Sequence, residues 1–148
     1  MKFRLISRIL GIGLIAFSFL QLTPIIVSII YNEDNIVAFA YSFLITLAFG
    51  SFLYLVNFEK KYEGIRVKEG FLLTVLLWLF FTVFATLPLI FGTKSGLSIV
   101  SAYFEATSGL TTTGATIFSD LSGEYYSILF YRGLLQWIGG LGIIVLAI

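Results

Sequence analysis

Residues 97–123 read LSIVSAYFEATSGLTTTGATIFSDLSG, and the architecture turns on where that stretch sits. Its first half, 97–110, is long enough for about four helical turns. The larger apolar residues fall at Leu97, Ile99, Val100, Tyr103, Phe104 and Leu110, while Ser98, Ser101, Glu105 and Ser108 make the run too polar to span a bilayer. Gly109 stands near its end, where a helix is expected to stop. Three threonines and a glycine come next, Thr111, Thr112, Thr113 and Gly114, and then Ala115, Thr116 and a polar return to Glu124.

The flanks of this segment are of another kind. A membrane-spanning helix needs about 20 mostly apolar residues, and four stretches qualify, at 9–30, 36–57, 71–92 and 125–148. They are continuous apolar runs rather than amphipathic ones. Pro24 and Pro88 fall within two of them, which membrane helices tolerate when neighbours re-satisfy the freed carbonyls. Over all 148 residues, 59% are hydrophobic and only 11% charged, whereas soluble domains carry about 25% charged residues. So few charges cannot cover a water-soluble surface, and the sequence predicts an all-α integral membrane protein embedded in a lipid bilayer. Lys2, Arg4 and Arg8 resemble the basic start of a signal peptide, but the apolar part is too long and no small-residue cleavage site follows.

The residues that are missing narrow the chemistry. With no Cys and no His, zinc and iron–sulfur sites of the usual ligands, thiol nucleophiles and Ser–His–Asp triads are excluded. A net charge of +1 lacks the basic stripe that nucleic acid requires. No carboxylate motif supports an enzyme. The eight acidic and nine basic residues, with many backbone groups, suit handling a small ion better than bond chemistry.

The basic residues also set an orientation. Lys2, Arg4 and Arg8 precede the first span, and Lys60, Lys61, Arg66 and Lys68 lie between the second and third, seven of the nine in all. Cytoplasmic loops carry such an excess, which predicts a cytoplasmic N-terminus and leaves the 31–35 connection, with Glu33 and Asp34, outside. The 93–124 link then begins and ends on the outer face. Two readings fit it: an outer loop with a surface helix and a Thr-rich turn, or a short helix that enters the membrane and leaves on the same side. The topology favours the second. Irregular backbone at membrane depth is tolerated only where it is buried in protein or lines a water-filled cavity, so a Thr/Gly run held there is a candidate cation filter. Carbonyl rings replace the hydration shell of K⁺ in channels, Gly permits the dihedrals this needs, and the C-terminal end of the short helix carries partial negative charge.

Intramembrane charge is costly, so Arg132, inside the fourth span, calls for a partner. Glu105 and Asp120 are the available acids. A structural pair that braces the loop is the favoured reading; direct attraction of cations by Glu105, Asp120 or Glu124 is its rival. Gly139, Gly140 and Gly142 predict close helix approach or bending, and Trp78 and Trp137 predict packing.

Two strings carry a family resemblance: FEATSGLTTTGAT at 104–116 and YRGLLQWIGGLG at 131–142. The first resembles the first pore loop of the TrkH/TrkG/KtrB superfamily of potassium transporters, and the second resembles the helix that succeeds it there. The two at this spacing are strongly specific, and the extra N-terminal pair of spans makes TrkH/TrkG the nearer match. The resemblance implies a helix pair at 1–58, a cytoplasmic loop at 59–70 and one K⁺-channel-like span–pore helix–filter–span repeat at 71–148, with the pore helix at about 97–110 and the filter at 111–115. It implies that Thr112 and Thr113 offer backbone carbonyls to K⁺, with Gly114 as the filter glycine, Thr111 beside them, and Glu105 and Arg132 in support. K⁺ is then the transported ion, with no covalent cofactor. The implied partners are the remaining three repeats, a second copy of the full-length protein and a cytoplasmic nucleotide-binding regulatory subunit, at the inner (cytoplasmic) membrane. With one repeat of four, the chain reads as the N-terminal third of such a transporter. A homotetrameric cation channel and a non-transporting membrane scaffold are the alternatives.

Overall fold

The structure, a computed structural model, describes residues 3–56 and 66–147, with side-chain surroundings as far as 142. Among the described residues it is helical, without strands: α1 Phe3–Leu20, α2 Thr23–Ile30, α3 Ile36–Val56, α4 Val67–Gly92, α5 Ile99–Leu110 and α6 Tyr126–Ala147. Among the described residues, three segments are long and apolar enough to cross a membrane, Phe3–Ile30, Ile36–Val56 and Val67–Gly92; α6, at 22 residues, is one residue longer than α3. The chain is an all-α, multi-pass membrane protein.

The first span departs from expectation. It begins at Phe3 rather than near residue 9, and it is broken into α1 and α2 around Gln21 and Leu22. Pro24, in the first turn of α2, has no N–H for the Leu20 carbonyl and crowds it. The Thr23 hydroxyl donates to that carbonyl instead, at 2.8 Å. By contrast α4 continues through Pro88. It also starts at Val67, four residues before the expected 71, because Arg66 and Glu69 form a capping box in which Glu69 accepts from the Arg66 N–H at 3.1 Å. The expected 59–70 loop lies outside the described residues as far as 65, including Lys60 and Lys61.

Packing fixes the helix directions. Gly13 faces Leu77, and Phe17 stacks on Phe81 at 4.9 Å, a constant offset that makes α1 and α4 parallel. Gly11 faces Gly50 so closely that a Cβ on Gly11 would lie 2.7 Å from the Gly50 carbonyl oxygen, and α1 runs antiparallel to α3. Small residues of this kind let membrane helices pack backbone to backbone. The core joins Leu10, Leu14 and Phe17 of α1 to Phe39 of α3, Phe84 and Leu89 of α4, and Ile128, Tyr131 and Leu135 of α6. Ala102 and Ala106, both fully buried, seat α5 against this core.

Candidate functional site

Helix α5 starts two residues later than expected because Ser98 is its cap, accepting from the Ser101 N–H at 3.2 Å. The helix runs parallel to α6: Glu105 meets Arg132, Gly109 lies against Leu135, and Leu110 reaches Gly139. Gly139 is thirteen residues into α6, so the tip of α5 lies about 20 Å along that helix at 1.5 Å per residue. The segment therefore folds in between α4 and α6 and returns to its starting end. Glu124 ties the two ends of the excursion, accepting from the Lys94 N–H at 2.7 Å, the Ser95 hydroxyl at 3.3 Å and the Tyr125 N–H at 3.1 Å.

The helix does not stop at Gly109, which lies inside it with its Cβ position 3.1 Å from the Leu135 Cβ. It stops at Leu110 in a Schellman motif that Thr112 and Thr113 close. The Thr113 N–H donates to the Ser108 carbonyl and the Thr112 N–H to the Gly109 carbonyl, both at 3.0 Å. The residue placed in the left-handed region by this motif is Thr112, with φ 57°. Glycine usually occupies that position, and for a β-branched residue the conformation is a genuine outlier. Gly114 has φ 75°, with nothing among the described residues within 4 Å of a Cβ built there. A side chain at 114 is opposed by the dihedral and not by lack of room.

The peptide groups of 111–114 divide by type. All four N–H groups are bonded back to α5: Thr111 to the Thr107 carbonyl, Thr112 to Gly109, and Thr113 and Gly114 to Ser108. No donor among the described residues engages the four carbonyls, and the four residues are exposed. The Thr111 and Thr113 hydroxyls pair with each other at 2.9 Å. Such a run offers oxygen acceptors and withholds N–H donors, which suits a cation and not an anion.

Residues 115–117, on the return side of the run, are pinned by one buried face of α5. The Ser108 hydroxyl donates to the Ala115 carbonyl at 2.6 Å. Glu105, three residues earlier, accepts through Oε1 from the Thr116 hydroxyl at 2.7 Å and from the Ile117 N–H, and through Oε2 from Arg132 Nε at 2.9 Å. The side chains of Arg132 and Glu105 are 13% and 1% exposed, and the guanidinium also lies 5.5 Å over the Phe118 ring. Asp120 is engaged elsewhere. It accepts from the Ser122 hydroxyl and N–H, which in that order hold its carboxyl below the ordinary range. Of the three acids that could attract cations, Glu105 and Glu124 are buried in hydrogen bonds and Asp120 is exposed. The feature least visible in the sequence is the left-handed Thr112; three threonines in a row give no signal for it.

These features define a class: an all-helical membrane protein in which two long helices enclose a short inserted helix and a strained, oxygen-rich run. The sequence model of the TrkH family, described as a cation transport protein, matches residues 35–148. The chain belongs to that family, which is one of transporters and not of enzymes. It is 45% identical to the Trk system potassium uptake protein TrkH of Escherichia coli K12, over all of this chain and 30% of that protein. It is 35% identical to TrkG of the same organism, over 98% of this chain and 30% of that protein. The crystal structure of the potassium transporter TrkH from Vibrio parahaemolyticus superposes with a TM-score of 0.93 at 40% identity, covering 99% of this chain and 31% of that one. The chain thus spans about 30% of the length of the relatives it matches.

Proposed function

We propose that this chain supplies the first of four selectivity-filter loops of a potassium-uptake transporter of the cytoplasmic membrane. The observation that carries the reading is the split of the 111–114 peptide groups, every N–H turned back to α5 and every carbonyl without a donor among the described residues. In this reading residues 1–58 are an N-terminal helix pair and 71–148 the first repeat. Helix α5 is its pore helix, the carbonyls of Thr112 and Thr113 hold K⁺ with Thr111 beside them, and Gly114 is the filter glycine. Glu105 and Arg132 keep the return strand of the loop in place. The relatives named as potassium uptake proteins support K⁺ as cargo. Three further repeats close the ring, a second copy of the full-length protein pairs with it, and a cytoplasmic nucleotide-binding subunit regulates it. Seven of nine basic residues on one side support a cytoplasmic N-terminus.

The test is Gly114→Ser in the full-length protein. It should reach the membrane in normal amount, because nothing crowds the position, yet discriminate K⁺ from Na⁺ less well, because a Cβ disfavours φ 75°. The measurement is Rb⁺ uptake against Na⁺ inhibition in cells that depend on this protein at low K⁺. Unchanged preference at normal expression would make the loop a lid and move the scaffold reading to first place.

A further inference from the structure

Helices α4 and α6 hold α5 between them, yet neither completes its own hydrogen bonding. Pro88 has no N–H, so the Phe84 carbonyl four residues earlier has no helical donor. The carbonyl of Gly92, the last residue of α4, has none either. At the start of α6, the Tyr125 carbonyl accepts from the N–H groups of Ile128 and Leu129, which leaves those of Tyr126 and Ser127. All four groups find partners on the N-terminal helix pair. Gln21, in the break between α1 and α2, donates Nε2 to the Phe84 carbonyl at 3.2 Å. Asn35, at the foot of α3, donates Nδ2 to the Gly92 carbonyl at 3.1 Å. Glu33 accepts from the Tyr126 N–H through Oε1 at 2.6 Å and from the Ser127 N–H through Oε2 at 3.1 Å. Tyr31 stacks on Tyr126 beside it, with ring centroids 4.4 Å apart.

Asn35 does more than cap. The same Nδ2 donates to the Ser127 hydroxyl at 2.8 Å, and Oδ1 accepts from the Ser28 hydroxyl at 2.8 Å. One buried amide thereby joins α2, α4 and α6 and uses both of its donors. The 31–35 connection, expected as an outer acidic loop, carries two of these three side chains.

We propose that Gln21, Glu33 and Asn35 are positioning residues for the filter: they set the ends and the proline turn of the two helices that clasp α5, and through them the placement of 111–114. The N-terminal pair is then a working part of the repeat and not an added anchor. This rests on the filter reading above, and its test separates the two.

The variants are Glu33→Gln, Gln21→Met and Asn35→Ala in the full-length protein, read as Rb⁺ uptake and Na⁺ inhibition per molecule in the membrane. Losing one such bond should lower the Rb⁺-over-Na⁺ preference by about fivefold, with Glu33→Asp, which keeps the charge, recovering part of it. If Asn35→Ala fails to reach the membrane, the nearly isosteric Glu33→Gln and Gln21→Met decide. A purely structural role would lower the amount of protein while leaving the preference per molecule at the wild-type value, and that result overturns the inference. Loss of preference in Gly114→Ser with none in Glu33→Gln or Gln21→Met refutes the positioning role alone. Intact preference in Gly114→Ser refutes the filter reading itself.

Discussion

Gly139→Ala is the substitution whose effect the structure defines most sharply. A Cβ built at Gly139 lies 1.9 Å from the carbonyl oxygen of Leu110, 2.7 Å from its carbonyl carbon and 3.0 Å from its Cα. All three atoms are backbone, so no rotamer change relieves the contact. The tip of α5 must move by at least about 1 Å, and overpacking of this kind costs about 1–3 kcal/mol. Against that stands a gain of up to about 1 kcal/mol from replacing Gly by Ala in a helix. Gly133→Ala in the same helix isolates the gain, since nothing lies within 4 Å of its Cβ. Leu110 directly precedes Thr111, and binding constellations tolerate misplacement of only about 0.5 Å. Gly139→Ala should therefore lower both the thermal midpoint of the purified full-length protein and its Rb⁺-over-Na⁺ preference. Gly133→Ala should match the wild type or exceed it slightly in stability. Equal midpoints and equal preference for the two variants would refute the close approach of α5 to α6.

Arg132→Ala should reduce folded yield by leaving Glu105 buried without its charge partner, a loss of about 3–5 kcal/mol; Arg132→Lys should restore part of it, since Lys lacks the planar fork. Wild-type yield in Arg132→Ala, measured by size-exclusion of the tagged protein, would show that the pair does not brace the loop. Thr112→Gly should raise the thermal midpoint, by relieving a left-handed strain of about 1–2 kcal/mol, while lowering K⁺ preference by loosening the run. A midpoint unchanged or lowered would show that Thr112 is not strained.

The first three spans were legible in the sequence because about 20 successive apolar residues have few other uses. Their interruptions were not. Pro24 and Pro88 look alike in the sequence, yet one breaks its helix and the other is carried through. The difference lies in where the freed carbonyl finds a donor, Thr23 next door in one case and Gln21, 63 residues away in the break between α1 and α2, in the other. Gly109 misled for a related reason: glycine serves both left-handed turns and close packing, and here it packs. The choice between Glu105 and Asp120 for Arg132 had a local signal, since Asp120 with Ser122 two residues on is an Asx-turn pattern, whereas Glu105 shares a helical face with Ser108. Nothing local marks Gln21, Glu33 or Asn35, whose partners on α4 and α6 lie 57 to 94 residues away.

The 111–114 run has no hydrogen-bonded ladder of its own. Its N–H groups return to the last turn of α5 and its exit is held by Glu105 and Ser108 of the same helix, so its geometry is as good as the placement of that one helix. Helix α5 is only 12 residues long, too short to be stable without its neighbours. It takes its position from Gly139 at the tip, Arg132 midway and the ends of α4 and α6 beyond. In a lipid surround there is no hydrophobic force pressing helices together, which leaves close backbone contact and buried polar bonds to set those positions. Substitutions that alter ion preference should therefore gather on the buried polar atoms and the tight glycine crossing, including some far along the chain from the threonines. Phe52 and Leu55, large and exposed on α3 and outside these contacts, should tolerate apolar exchange without changing it.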